Sequence, residues 1–294
     1  MRFGIIGNLE KPGLRDVVTL LLERLERSRV DYVIDRQILP LVGDLPTGER
    51  QDRGRELEAC VAEAEILVAL GGDGTILAAA RMVGRRQIPI LGVNLGKLGF
   101  LAEFAPEEME RAIQDILDRR YLIEERLVLE ATTPALPGKT FYAVNDVVVD
   151  KSRNPRIIDL ETHINGVFAV TYRGDGLIVS SPTGSTAYAL SNGGPIVTPT
   201  SGVIGITPIS PHTLSGRPLI VPDSSEIRVD VRSAADEILI SADGQVEVYV
   251  QPPAEVLIRK ATHGLRLVRK KDRSYFEVLR AKLLWGQDVR SVGG

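Results

Sequence analysis

Apolar positions in the first 120 residues switch repeatedly between two spacings. Phe3–Ile6, Tyr32–Ile34, Ile66–Leu70 and Ile88–Val93 are short apolar runs that predict buried strands. Between them, Leu14–Arg27 carries Val17, Leu20, Leu21 and Leu25 at helical spacing, and Gly54–Glu63 and Ile76–Val83 predict two further helices. Pro106–Arg120 has Glu107, Glu108 and Glu110 in its first turns and Arg119-Arg120 at its end, the charge order that a helix dipole favours. Strand and helix in alternation predict an α/β domain with a Rossmann-like parallel sheet covered on both faces. Its ligand site is expected beyond the carboxyl ends of the strands.

After about residue 122 the runs become shorter and β-type: Arg126–Glu130, Phe141–Val144, Val147–Val149, Ile158–Ile164 and Val167–Thr171. Asn165-Gly166 predicts a hairpin turn between the last two, and Asp243-Gly244 predicts another within Ile238–Val250. Many short strands with turn signals predict a β-sandwich-like second domain. Ser274–Trp285 reads as a helix expected to pack back on the first domain. The expected boundaries are 1–122 for the α/β domain, 123–268 for the β-rich domain and 269–294 for the returning segment.

The 294 residues suffice for two domains with substantial cores, and 44% hydrophobic with 26% charged residues is a globular balance. A net charge of −3 gives no electrostatic footprint for nucleic acid. Lys270-Lys271 with Arg266, Arg269 and Arg273 reads as a solvated face. The single cysteine, Cys60, excludes an internal disulfide and reads as a small core residue. Three scattered histidines (His163, His212 and His263) make a histidine-based metal site unexpected, and no protein metal ligand is assigned. The chain shows neither a signal-peptide pattern at Met1–Gly7 nor 18 consecutive apolar residues, so the expectation is a cytoplasmic protein without membrane contact.

Gly71-Gly72-Asp73-Gly74-Thr75 stands between the run Ile66–Leu70 and the helix beginning at Ile76. A strand, a glycine turn and a helix N-terminus cradle phosphate, because free N–H groups and the dipole favour anions there. The central aspartate repels phosphate, and therefore points to a metal contact, a base, or an acceptor for a ligand hydroxyl. Asp73 or Thr75 could equally cap the helix. Asn145-Asp146 interrupts a β-rich run with two residues of low strand propensity, which suits a cleft or a bulge. Pro182–Tyr188 and Ser191–Pro195 gather hydroxyls, glycines and a tyrosine after a strand, suited to ribose, phosphate and a flat base or to a simple turn. His212, in the constrained loop Pro208–Pro218, could be catalytic but reads more readily as a structural hydrogen-bonder.

These motifs together resemble the NAD kinase family. The resemblance rests on Gly71–Thr75, Asn94-Leu95-Gly96-Lys97-Leu98-Gly99-Phe100-Leu101, Asn145-Asp146, Asp175–Tyr188, Gly193–Pro195, Pro211–Leu214 with Arg217-Pro218, and Asp243-Gly244-Gln245. The glycine-aspartate turn alone is similar to that of diacylglycerol-type lipid kinases and phosphofructokinases; the ordered set is specific. The resemblance implies phosphorylation of the 2′-hydroxyl of the adenosine ribose of NAD by ATP or polyphosphate, with Mg²⁺ or another divalent metal, giving NADP. It also implies a site between the domains, completed in a homo-oligomer, either dimer or tetramer.

By that resemblance Asp73 is the catalytic carboxylate, and Gly71, Gly72, Gly74 and Thr75 form the phosphate-donor loop. Asp73, Gly74, Asn145, Asp146, Thr183, Thr186, Ala187, Tyr188, Ala189, Leu190, Ser191 and Gln245 match dinucleotide contacts. Arg156, Arg173 and Asp175 match further contacts, some from a neighbouring subunit. Asp146 is one methylene shorter than the glutamate of many members. A carboxylate at Asp73 suits removal of a ribose proton, a contribution on the order of 10²–10⁴ in rate. The rival readings are a lipid kinase sharing the turn, a non-catalytic NAD(H)-binding regulator, and an NAD-dependent dehydrogenase. The first lacks a membrane-binding segment, the second has no need of a base, and the third lacks G-x-G-x-x-G after its first strand.

Overall fold

The computed structural model describes residues 1–42, 53–97, 99–213, 215–233, 237–271 and 273–283. Leu98, Leu214 and Trp285, which belong to the sequence motifs and to the expected last helix, lie outside the described residues. The chain divides into two units, one formed by Met1–Glu124 with the chain from Arg266 onward, the other by Glu125–Leu265.

The first unit is built on a seven-stranded sheet in the order Gly54–Arg55, Asp31–Asp35, Arg2–Gly7, Ile66–Gly71, Ile90–Asn94, Leu265–Arg269, Leu122–Arg126. The pairings from Gly54–Arg55 through Leu265–Arg269 are parallel. Ile66–Gly71 is buried along its whole length, as its unbroken apolar run requires of a central parallel strand. Helix Leu14–Arg27 buries Leu14, Val17, Val18, Leu21, Leu22 and Leu25, a stripe at the 3.6-residue period. Leu20, assigned to that face from spacing, is 41% exposed, because it stands two residues from both Val18 and Leu22 and so points away from the stripe.

The chain passes from Arg2–Gly7 outward to Asp31–Asp35, then returns to the other side at Ile66–Gly71. The carboxyl ends of Arg2–Gly7 and Ile66–Gly71 therefore meet at a topological switch point, where the Asn8 N–H donates to the Leu70 carbonyl at 2.9 Å. Gly71–Thr75 sits at that point. The last described helix, Tyr275–Leu283, belongs to this unit and buries Val278 and Leu279.

The second unit holds two six-stranded antiparallel sheets. One runs Val167–Gly174, Ile158–Ile164, Ile227–Arg232, Ala254–Lys260, Leu129–Thr132, Thr140–Ala143. The other runs Leu219–Pro222, Val203–Ile209, Gly176–Ser180, Asp146–Asp150, Ile238–Ala242, Val246–Val250. Leu160, Val229 and Val256 from the first pack in one core with Val147, Leu177 and Ile240 from the second, making a β-sandwich. Both expected hairpin turns form, with Asn165-Gly166 and Asp243-Gly244 all at positive φ.

Further local readings change. The helix expected over Gly54–Glu63 is a short strand, Gly54–Arg55, paired with Ile34-Asp35, followed by helix Leu57–Glu63. The single strand expected over Arg126–Glu130 is two, Leu122–Arg126 in the α/β sheet and Leu129–Thr132 in the sandwich, because Leu127-Val128 carries the chain out of the first sheet. The helix expected over Pro106–Arg120 is a 3₁₀ turn, Pro106–Glu108, followed by an α-helix, Met109–Leu117. The basic cluster is not a solvated face at Arg269, which is buried and ion-paired with buried Glu103, while Lys270 pairs with Glu108. Cys60 is a core residue, and burial pushes its thiol up to about 12.

Candidate active site

In the first unit, helix Asp73–Val83 begins directly at the end of Ile66–Gly71. Gly72 is the cap residue, and its N–H donates to the Thr75 hydroxyl at 3.4 Å, so the capping role falls to Thr75. Asp73 is left for another purpose. Its Oδ1 accepts the N–H groups of Leu101 and Ala102, both at 3.0 Å, and its Oδ2 accepts that of Phe100 at 2.8 Å. Three successive amides of the neighbouring loop thus aim one carboxylate. A carboxylate has about four acceptor positions, so both on Oδ1 are used and one on Oδ2 remains.

The loop that supplies these amides is shaped by Asn94. Its Oδ1 accepts the Gly96 N–H at 3.0 Å and its Nδ2 donates to the Lys97 carbonyl at 2.7 Å, while the Leu95 N–H donates to Gly71 at 2.8 Å. Gly99 has to be glycine, since a Cβ there would lie 1.9 Å from Asp73 Oδ1. Lys282, from helix Tyr275–Leu283, brings its ammonium to 3.9 Å from Asp73 Oδ2.

The second unit repeats the device. Asp243 Oδ2 accepts the Val144 N–H at 2.9 Å, and Oδ1 accepts those of Asn145 and Asp146 at 2.7 and 3.2 Å. Sheet register explains the assembly: Asp146 is opposite Ser180 on one side and Val147 is opposite Ala242 on the other. Asn145-Asp146, Ser180–Thr186 and Asp243–Gln245 therefore gather at one end of the sheet. There Ser181 donates its backbone N–H to the Asn145 carbonyl at 2.8 Å, and a Cβ on Gly184 would lie 2.0 Å from that same oxygen. The buried guanidinium of Arg126 donates to the Thr183 hydroxyl at 3.3 Å.

The 3₁₀ turn Thr183–Thr186 and the short helix Tyr188–Ser191 follow. Thr183 and Ala189 are buried, Thr186, Ala187 and Leu190 half-buried, and Tyr188, Ser191 and Gln245 exposed. Three expected residues are not brought to this end. Asp175 pairs with Lys151 at 2.7 Å beside Asp150, Arg173 pairs with Asp159 at 2.8 Å, and Arg156 is exposed, its N–H donating to Asn154. They lie towards the far end of Asp146–Asp150, roughly 13 Å along the strand. His212 is exposed, with its backbone N–H on the Arg173 carbonyl at 2.8 Å.

Asp146 is 5% exposed, and burial, reinforced by the Asp243 charge, raises its carboxyl to about 7. Between the usual 3.8 and about 7 the folded chain holds a proton that the unfolded chain has released. The stability contributed by this group is therefore greatest below the lower value, falls as pH rises through the window, and is level above it. Asp146→Asn, which cannot ionise, is expected to melt higher than the parent at pH 8 and to converge with it near pH 4. Calorimetry at both pH values checks this; an equal difference at both would dismiss the buried charge as its cause.

Among the described residues one set could hold a metal ion, Glu161, His163 and Asp230, whose ligand atoms lie within 4.8 Å of one another. Arg228 is already 3.2 Å from Asp230 and Arg232 is 3.5 Å from Glu161, so the carboxylates have cationic partners without an ion. A cleft of about 1510 Å³ in the first unit runs past Arg24, Glu103, Glu110 and Lys270 and touches Asn94–Gly96, but Asp73 does not line it. No helix among the described residues is long and apolar enough to cross a membrane.

Residues 3–121 match the family model described as the ATP-NAD kinase N-terminal domain, and residues 144–270 match that of the ATP-NAD kinase C-terminal domain. These two matches, covering most of the chain, make it a phosphotransferase. The chain is 38% identical over 292 residues to an NAD kinase of Bacteroides fragilis, covering 99% of this chain and 100% of that one. It is 46% identical over 226 residues to an NAD kinase of Geobacter sulfurreducens, covering 76% and 80%. Its structure is similar to that of yeast NADH kinase complexed with NADH (TM-score 0.89, 27% identity, 98% of this chain and 88% of that one). It is also similar to an Archaeoglobus fulgidus NAD kinase in complex with ATP (TM-score 0.74, 26% identity, 96% and 99%). The chain belongs to the NAD kinase family.

Proposed function

We propose that this chain transfers the terminal phosphoryl group of ATP to the 2′-hydroxyl of the adenosine ribose of NAD, giving NADP, with Asp73 as the base. The Asp73 carboxylate carries this reading. It is held as an acceptor by three amides, and Oδ2 keeps one position for a hydroxyl. The hydroxyl oxygen forms a bond to the terminal phosphorus, its proton passes to Asp73, and the bond to the bridging oxygen breaks, leaving its electron pair on ADP.

Gly71, Gly72, Gly74 and Thr75 receive the donor phosphates at the helix N-terminus. Asp73-Gly74 contact the ribose, and Asn145, Asp146, Thr183, Thr186–Ser191 and Gln245 bind the dinucleotide. The NADH and ATP bound to the yeast and archaeal relatives support both ligands. Arg156, Arg173 and Asp175, remote from Asp146 within their own unit, serve the site of a neighbouring copy in a homo-oligomer. A divalent metal such as Mg²⁺ would come with ATP, held by its phosphates, and would neutralise phosphate charge there. Asp73, with three amides on it and its remaining position given to the ribose hydroxyl, would act as the acceptor rather than as its ligand. The single buried cysteine suits the reducing cytoplasm.

The test incubates purified protein with NAD, Mg²⁺ and either ATP or polyphosphate, and reads NADP with an NADP-specific dehydrogenase. NADP is expected with ATP. Tight binding of NAD without NADP from either donor would leave a regulatory binder instead.

A further inference from the structure

Helix Tyr275–Leu283 is nine residues long and carries its own chemistry to the Asp73 turn. The Lys282 ammonium lies 3.9 Å from Asp73 Oδ2 and 4.4 Å above the Phe100 ring. Phe100 is the residue whose backbone N–H donates to that same Oδ2, so one residue orients both the carboxylate and the ammonium. Tyr275, a turn and more earlier on the helix, packs against the Phe100 ring with centroids 6.4 Å apart. At 3.9 Å the ion pair is loose, longer than a charge-assisted hydrogen bond of about 2.7–2.9 Å. The Lys282 side chain is 28% exposed and the Asp73 side chain 30%, so neither member of the pair is sealed in the core.

We propose that Lys282 is a catalytic residue that contacts the transferred phosphoryl group and neutralises the charge that group carries in the transition state. The proposal rests on the reading of Asp73 as the base for a phosphoryl acceptor. A hydroxyl on Asp73 Oδ2 sits within about 3 Å of it, and the phosphorus under attack lies about 3–3.5 Å beyond. The non-bridging oxygens of that phosphoryl group then fall within reach of an ammonium on a flexible four-carbon stem standing beside the same oxygen. In a loose phosphoryl transition state these oxygens carry the charge, and positive groups aimed at them supply most of the catalysis that positioning does not. The step keeps its balance: Lys282 exchanges no proton, the ribose proton goes to Asp73, and the leaving electron pair remains on the nucleoside diphosphate. An acidic turn at a phosphate site thereby gains a cation from a helix about 200 residues away in sequence.

Lys282→Met keeps the length of the side chain and an apolar contact with Phe100 while removing the charge; Lys282→Arg keeps the charge. Steady-state kinetics with ATP, Mg²⁺ and NAD, together with melting curves, form the test. Lys282→Met is expected to lower kcat on the order of 10²-fold. Its KM for NAD should stay within about threefold of the parent, and Lys282→Arg should recover to within about tenfold of the parent kcat. A kcat for Lys282→Met within about twofold of the parent would overturn the proposal. So would an equal loss in both variants with a lowered melting point, which would mark a packing role. Asp73→Asn is assayed alongside. If it is inactive while Lys282→Met is normal, only the role of Lys282 fails; if Asp73→Asn is itself fully active, the base reading fails.

Discussion

Asp73→Asn is expected to lower kcat by a factor on the order of 10²–10⁴ while leaving the protein folded. An amide cannot accept the ribose proton, so the chemical step loses its base. The structure adds a second consequence. Oδ1 accepts two N–H groups and Oδ2 one, so the asparagine carbonyl settles towards Leu101 and Ala102 and its NH₂ faces the Phe100 N–H. One donor then loses its acceptor, at about 1–3 kcal/mol, which is too little to unfold a two-unit protein with continuous cores. The variant should melt a few degrees lower and keep its KM for NAD within a few-fold. A coupled NADP assay and a melting curve check both points. Near-parental turnover would remove Asp73 as the base.

The largest stability effect is expected from Asp243→Ala. This half-buried side chain accepts the N–H groups of Val144, Asn145 and Asp146 and so shapes the segment that presents Asn145-Asp146. A hydrogen bond to a charged group contributes about 1.5–3 kcal/mol, and three on one carboxylate are not additive, so a net loss on the order of 3–5 kcal/mol is expected. Removing the Asp243 charge also eases the ionisation of Asp146, but burial is the larger cause of that shift, so the relief is the smaller effect. The melting temperature should fall on the order of 10 °C, and the apparent KM for NAD should rise about tenfold or more. A melting temperature within about 2 °C of the parent would show that water replaces the carboxylate without loss.

Much of this arrangement was legible from residue pattern. Ile66–Leu70 could be placed as a buried strand because it is apolar without a break. Gly71–Thr75 read as a turn before a helix at Ile76, whereas the strand runs on to Gly71 and the helix already starts at Asp73, leaving Gly72 alone between them. Asn165-Gly166 and Asp243-Gly244 announced hairpins because both positions in each need positive φ. Asp243, however, read only as a hairpin-turn residue from its spacing and as a member of the Asp243-Gly244-Gln245 motif from the resemblance. The available signal was that Asp-Gly occurs in both Asp73-Gly74 and Asp243-Gly244, and that signal does not say which amides a carboxylate collects. Gly99 and Gly184 were equally silent, since the atoms that forbid a Cβ there belong to Asp73 and Asn145, residues distant in the chain. Arg269 read as exposed because charge alone does not reveal a buried partner such as Glu103.

By itself the chain's sequence determined the two classes of element and the glycine-aspartate motif at a strand end, because these depend on local periodicity and backbone permissiveness; the family followed from the resemblance of the whole ordered set of motifs. Only the tertiary structure decided which groups meet. It inserted Leu265–Arg269 between Ile90–Asn94 and Leu122–Arg126, and it aimed Asp73 and Asp243 with three amides each. It also set Lys282 beside Asp73. The physical reason is common to all three. Hydrogen bonds and ion pairs act over a few ångströms between residues far apart in the chain, and nothing in their local spacing encodes the partner.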